Sequence, residues 1–153
     1  QGVWAGIMCG TAGTCMSWWW EAIHERKLHA IWKSVAGFIQ GTGFGSPGWR
    51  PLPLPPSGSL AAYAMTDGKT TLLWLLDKRY EYPNNATAEA QPFPPATNFT
   101  LPLPDGPYHI TWYDTAAGKT LATQTAQAAQ ATLTSQLPPF KEDIAAKISP
   151  KAP

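Results

Sequence analysis

The sequence predicts a mainly-β protein: an antiparallel β-sandwich of about six to eight strands, preceded by a short strand and one amphipathic helix. Three observations carry this expectation. Beyond residue 60, apolar segments of period two recur at intervals of about 8–12 residues, with turn signals between them. Residues 42–59, TGFGSPGWRPLPLPPSGS, form a Gly/Pro/Ser connector that cannot continue a helix or enter a central strand. Upstream of it, the period is helical and prolines are scarce. The chain therefore divides into a helical segment, 1–41, the connector, 42–59, and the sandwich, 60–153.

Taken in order, VWAGIM at 3–8 reads as the last turns of a helix. GTAGTCMSWWW reads as small residues feeding a short strand that ends in aromatics. In KLHAIWKSVAGFIQG the apolar residues fall at helical spacing, which predicts a helix over 27–40. Ile31, Trp32, Val35 and Phe38 should be its buried stripe, with Gly41 just past its end. LAAYAMTDGKTTLLWLL is a hairpin turning at Asp67-Gly68. A loop from about Asp77 to Pro95 follows, in which Tyr80 and Tyr82 flank Glu81 as a small aromatic strip. NFTLPL, YHITWYDT, TLATQTAQA, QATLTSQLP and EDIAAKIS complete the strands.

Size and charge exclude several functions. A chain of 153 residues can bury a real core, but a (β/α)8 barrel needs ~250. Lys+Arg 11 against Asp+Glu 10 leaves a net charge of +1, which argues against nucleic acid or an anionic membrane as partner. The longest apolar run is too short for a membrane-spanning helix. Cys9 and Cys15 lack the further Cys or His that a structural zinc site needs, and read as small buried side chains. His24 and His29 are five apart, not the four that would put both on one helix face, so a metal is not expected; nor is any cofactor. No phosphate-binding loop is present. The Trp-rich, Pro-rich and charge-poor composition suits an extracellular, secreted domain, and the start at Gln1 reads as that of a processed or excised product.

GTAGTCMSWWWEAI followed by KLHAIWKSVAGFIQG resembles the final strand and final helix of a clan-A, family-5-type glycoside hydrolase barrel. LPDGPYHITWYDTAAGKTL and LPPFKEDIAAKI are similar to the β-sandwich that follows such barrels in bacterial polysaccharide hydrolases, a domain resembling a carbohydrate-binding module. The resemblance implies that both catalytic glutamates, at the ends of the fourth and seventh barrel strands, precede this chain. It also implies that Trp18, Trp19 and Trp20 stand where barrel aromatics line the sugar subsite.

The residues themselves point the same way. Hydrolysis needs two carboxylates facing each other across a sugar ring. Here only Glu21 stands beside the aromatic run, and Glu25 follows at the spacing of any solvated helix face, so no catalytic residues are expected. Aromatics are the functional signal, because sugar C–H faces stack on indole rings. On a strand, Trp18 and Trp20 would share one face and Trp19 the other, with one of the three left for the core. Trp49, in the connector, either pins it down or stands as a platform. Trp4, Trp32, Trp74 and Trp112 read as core, and Tyr113 as a residue of the half-polar outer face. Glu21 and Asp114 would accept sugar hydroxyls.

The expected function is non-catalytic binding of a β-linked plant cell-wall polysaccharide, β-1,4-glucan first. The rivals are a hydrolase fragment inactive without its barrel, and a structural domain docked on a catalytic one. A row of exposed aromatics on the sandwich would favour binding. Polar outer faces with one apolar patch would favour docking. The apolar helix within 1–41 must cover either the sandwich or a second copy of the chain, as in a homodimer.

Overall fold

A computed structural model describes residues 1–11, 13, 19–55, 58–81 and 97–151. Eight strands make one sheet with every neighbouring pair antiparallel: β1 (Arg50–Pro51), β2 (Leu60–Thr66), β3 (Thr71–Asp77), β4 (Asn98–Leu101), β5 (Gly106–Asp114), β6 (Lys119–Ala129), β7 (Thr132–Gln136) and β8 (Asp143–Pro150). Their order across the sheet is β1-β2-β3-β8-β5-β6-β7-β4. The sheet curls until β4, at one end, lies over β2 and β3 near the other. Phe99 and Leu101 of β4 share a core with Leu60, Ala64, Leu73 and Leu75. The sandwich is thus one sheet folded on itself. Long β6 makes the corner: it pairs with β5 over most of its length but meets β7 only at Ala128 and Ala129.

The hairpin follows the sequence closely. Leu60 pairs with Asp77 and Thr66 with Thr71, so 67–70 is the turn. Gly68 takes φ +90, a conformation open to glycine, and Asp67 Oδ1 accepts from the amides of Lys69 (2.8 Å) and Thr70 (2.6 Å). Desolvation works against the Asp67 carboxylate, yet these amides outweigh it and hold the carboxyl below its usual range. Strand β3 is buried along its whole length. Leu73 and Leu75 face the inner core, whereas Leu72, Trp74 and Leu76 face the opposite side. A strand covered on both faces has no polar alternation, which is why TLLWLL reads as one apolar run.

The second face is covered by helices. Helix α1 (Gly2–Met8) and helix α3 (His29–Ile39) pack on it through Val3, Trp4, Ile7, Met8, Val35 and Phe38. These buried apolar residues of 1–41 are therefore seated on the chain's own sheet. Trp4 lies 5.1 Å from Phe38 and 6.3 Å from Tyr113, and Phe38 lies 5.3 Å from Tyr113. Polar contacts lock the seat: Ser34 Oγ donates to Thr115 O (2.6 Å), and Tyr113 OH donates to Ser34 O (3.0 Å). Lys147 Nζ sits 5.6 Å from the centre of the Phe38 ring and donates to Gln40 O (3.3 Å) at the end of α3. Burial pushes its ammonium pKa down.

Three expectations for the N-terminal segment need correction. The aromatic run does not end a strand: Trp19 caps, and Trp20 opens, a short helix α2 (Trp20–Glu25). The small residues preceding it lie outside the described residues, apart from Gly10, Thr11 and Gly13. The buried stripe of α3 is Ser34, Val35 and Phe38, whereas Trp32 is half-buried and Ile31 is 38% exposed. Among the described residues, the hydrogen bonds from this helix and its end to the sheet involve Ser34 and Gln40. Cys9 is an exposed free thiol, not a buried side chain, and Cys15 lies outside the described residues.

The connector is structured by its own residues. Thr42 Oγ1 donates to Ile39 O (2.7 Å) and accepts from Phe44 N (3.2 Å), and Gly41 takes φ +76 as the helix ends. Leu52 N donates to Ala64 O (2.8 Å), and Leu52 and Leu54 pack against the inner core.

Candidate functional site

The residues named as candidates do not converge. Trp19 and Trp20 stand 73% and 69% exposed at the start of α2, and Glu21 is exposed in its first turn. Consecutive helical residues diverge by about 100° around the axis, so the two indoles form an edge and not one flat platform. Trp18 lies outside the described residues, as does Tyr82.

The other candidates are occupied. Trp49 makes an edge-to-face contact with Phe44 (5.1 Å) and donates from Nε1 to Gly43 O (3.0 Å), so it pins the connector. Tyr113 is buried, not outward-facing, because the sandwich face it belongs to lies beneath α1 and α3. One oxygen of Asp114 is committed to the β5–β6 turn: Oδ1 accepts from Ala116 N (3.0 Å) and Ala117 N (2.8 Å). Tyr80 is also buried, so no aromatic strip forms with it. Trp4, Trp74 and Trp112 are core, as their periodicity predicts.

Carboxylates are similarly engaged. Asp143 Oδ2 accepts from Trp74 Nε1 (2.8 Å), and Oδ1 accepts from Thr115 Oγ1. Asp77 is fully buried and accepts from Arg79 at the backbone N (2.9 Å) and Nε (2.8 Å). Its burial makes that pairing structural. Glu21 and Glu25 share α2 and point from a surface helix into solvent. Among the described residues, a cleft of about 710 Å³ between α3 and the β5–β6 turn is lined by Lys33, Gln40 and Tyr113 and holds no acid, and two further clefts border the sandwich. One, of about 330 Å³, opens between β2–β3 and β4 and is lined by Leu60, Leu73, Leu75, Phe99 and Leu101. Its lining offers no acid or base. The other, of about 240 Å³, brings Asp114, Glu142 and Asp143 beside Leu121 and Phe140. There, Asp114 and Asp143 are already holding the turn, Trp74 and Thr115.

Two features escaped the sequence reading. Ile31 joins Trp19 and Trp20 among the large apolar residues left exposed. His24 and His29, five positions apart, have ring centroids 5.9 Å from each other. Among the described residues, no group of three or more His, Cys, Asp or Glu side chains is arranged to hold a metal ion, and no helix is long and apolar enough to cross a membrane.

No protein-family model matches the chain, and no curated protein matches it. Among solved structures it is similar to a GH30 endoxylanase from Clostridium papyrosolvens C71, at 11% identity and a TM-score of 0.42, over 77% of this chain and 28% of that one. It is also similar to CelM2, a bifunctional glucanase-xylanase from a metagenome library, at 9% identity and a TM-score of 0.35, over 64% and 17%. A glucosidase from Croceicoccus marinus gives 16% identity and a TM-score of 0.34, over 61% and 26%. The chain thus spans less than a third of each of these proteins.

Proposed function

We propose that the chain is a non-catalytic, secreted carbohydrate-binding β-sandwich that takes a β-linked plant cell-wall polysaccharide, β-1,4-glucan first, on the Trp19–Trp20 edge. One observation carries this reading: those two consecutive indoles are exposed while every other described tryptophan packs or half-packs against the protein. An exposed indole offers a π face to sugar C–H groups and an N–H to a hydroxyl. Glu21, next in sequence, is exposed to accept a further hydroxyl.

Trp49 and Tyr113 are committed elsewhere, so the contact is small. By analogy with other aromatic pairs, each stacked indole adds about 1 kcal/mol, part of which offsets the ordering cost of binding. Affinity should then lie near the millimolar end, since 1 mM corresponds to about −4 kcal/mol. Net charge is +1, so salt should change it little. The test is retention on insoluble glucan, xylan and mannan, with melting temperature followed in parallel. Trp19→Ala and Trp20→Ala should each reduce retention and leave the melting temperature unchanged. If the native chain is not retained, or if neither variant changes retention, the reading fails. In the same assays the chain should hydrolyse none of the three polymers. Turnover that disappears in Glu21→Gln would overturn that expectation.

A second reading has its own observation. The outer faces of the sandwich carry no exposed aromatic among the described residues, and three of the four large exposed hydrophobics, Trp19, Trp20 and Ile31, fall within residues 19–31. Under this reading the segment docks on a catalytic domain, and the sandwich stabilises that domain. The docking reading predicts no retention on any polymer.

A further inference from the structure

We propose that His24 and His29 together form a two-imidazole site for a late first-row divalent metal ion such as Zn²⁺ or Ni²⁺, with water completing the coordination. The inference does not depend on the sugar-binding reading. On a continuous helix, residues five apart lie about 140° from each other around the axis, and their side chains cannot meet. The chain is not continuous there. Helix α2 ends at Glu25, Lys27 adopts φ +54, and α3 starts at His29 itself. Lys27 N donates to His24 O (3.1 Å) and Leu28 N to Ile23 O (2.9 Å), so the reversal is hydrogen-bonded. A left-handed conformation at a residue with a long side chain is unfavourable. Its effect is to bring two rings, otherwise on opposite sides, within 5.9 Å at an interplanar angle of 65°.

That spacing suits a shared metal. With metal–nitrogen bonds of about 2.0–2.1 Å, two imidazoles on one tetrahedral ion have centroids roughly 5 Å apart. The rings therefore need to close by less than about 1 Å, which side-chain rotation supplies because both histidines are exposed. Imidazole nitrogen is a good donor for these ions. Among the described residues these two are the protein ligands grouped there, so binding should be reversible and moderate in affinity. Its structural consequence would be to tie α2, and the aromatic edge that begins it, to α3.

The experiment is calorimetric titration of the full chain with Ni²⁺ and with Zn²⁺, alongside His24→Ala, His29→Ala and, as a control, His109→Ala. His109 is exposed on β5, away from the pair in sequence and fold. The native chain and His109→Ala should bind one ion with equal affinity. Losing a supporting outer-shell partner weakens metal sites about 10–100-fold, so losing either of two direct ligands should cost at least tenfold. Equal binding in all four proteins would assign the metal to other donors, such as the Cys9 thiol, and overturn the proposal. Absence of binding to the native chain would overturn it as well.

Discussion

Replacing Trp112 with alanine is expected to cost about 3–5 kcal/mol, a large part of the stability of an ordinary domain. Trp112 is 0% exposed on the inner face of β5. Its ring meets Phe99 of β4 edge-to-face at 5.4 Å, so it spans the two layers of the folded sheet. Truncation would leave a cavity between layers that hydrogen-bonded strands cannot close. The indole N–H has no hydrogen-bond partner among the described residues, so Trp112→Phe should lose volume and little else. Trp74 provides the contrast. Its N–H donates to Asp143, and Trp74→Phe would leave a part-buried carboxylate short of a donor. Chemical denaturation of the variants measures this. A loss below about 1 kcal/mol for Trp112→Ala would mean that the layers are not held together through this residue.

The strands were legible because their signals are local. Period-two alternation and Asp67-Gly68 each act within a few residues, whereas the turn expected at 104–107 is shorter, because Gly106 and Pro107 already pair in β5. For the same reason, the inward direction of Ile110 and Trp112 could be read from alternation alone. Which of the two sheet faces meets solvent is not a local property. Tyr113 alternates correctly with His109 and Thr111, yet a helix some 79 residues earlier in the chain covers it. Alternation shows that a residue lies on the other face, and cannot say what lies above it. Ile31 fails in the opposite sense: its spacing marks the apolar stripe, yet it is 38% exposed.

The candidate site was legible only in residue type. Eight tryptophans supply the candidates for an aromatic surface, and exposure sorts them. Trp49 found partners in Phe44 and Gly43 within its own turn, a contact that no periodicity describes. The sequence places Trp19 and Trp20 at the end of a short strand, and they start a helix. Glu21, placed where a helix N-terminus favours negative charge, is the local feature that fits the helix observed instead. The histidine pair was invisible for a related reason: spacing arguments assume an unbroken helix, and Lys27 breaks it.

Phe38→Ala should have the second-largest effect on stability and tests whether the helices and the sandwich are one cooperative unit. Phe38 is 0% exposed and contacts Trp4 of α1, Tyr113 of β5 and the Lys147 ammonium of β8. It thereby joins α1, α3 and two strands at one point. Removing a fully buried aromatic ring of this kind costs about 3–5 kcal/mol when the neighbours cannot collapse into the space. Here the neighbours are held by further bonds to the same helix, Tyr113 to Ser34 O and Lys147 to Gln40 O, so collapse is restricted. If the layers are cooperative, denaturation of Phe38→Ala will remain a single transition at lower denaturant, with helical and tryptophan signals lost together. If the helices rest on the sandwich as a separable layer, the helical signal will be lost first and the strands will unfold at the midpoint of the native chain. Tyr113→Phe refines the answer. It keeps the ring and deletes only the donor to Ser34 O, so it should cost about 1 kcal/mol and leave the number of transitions unchanged.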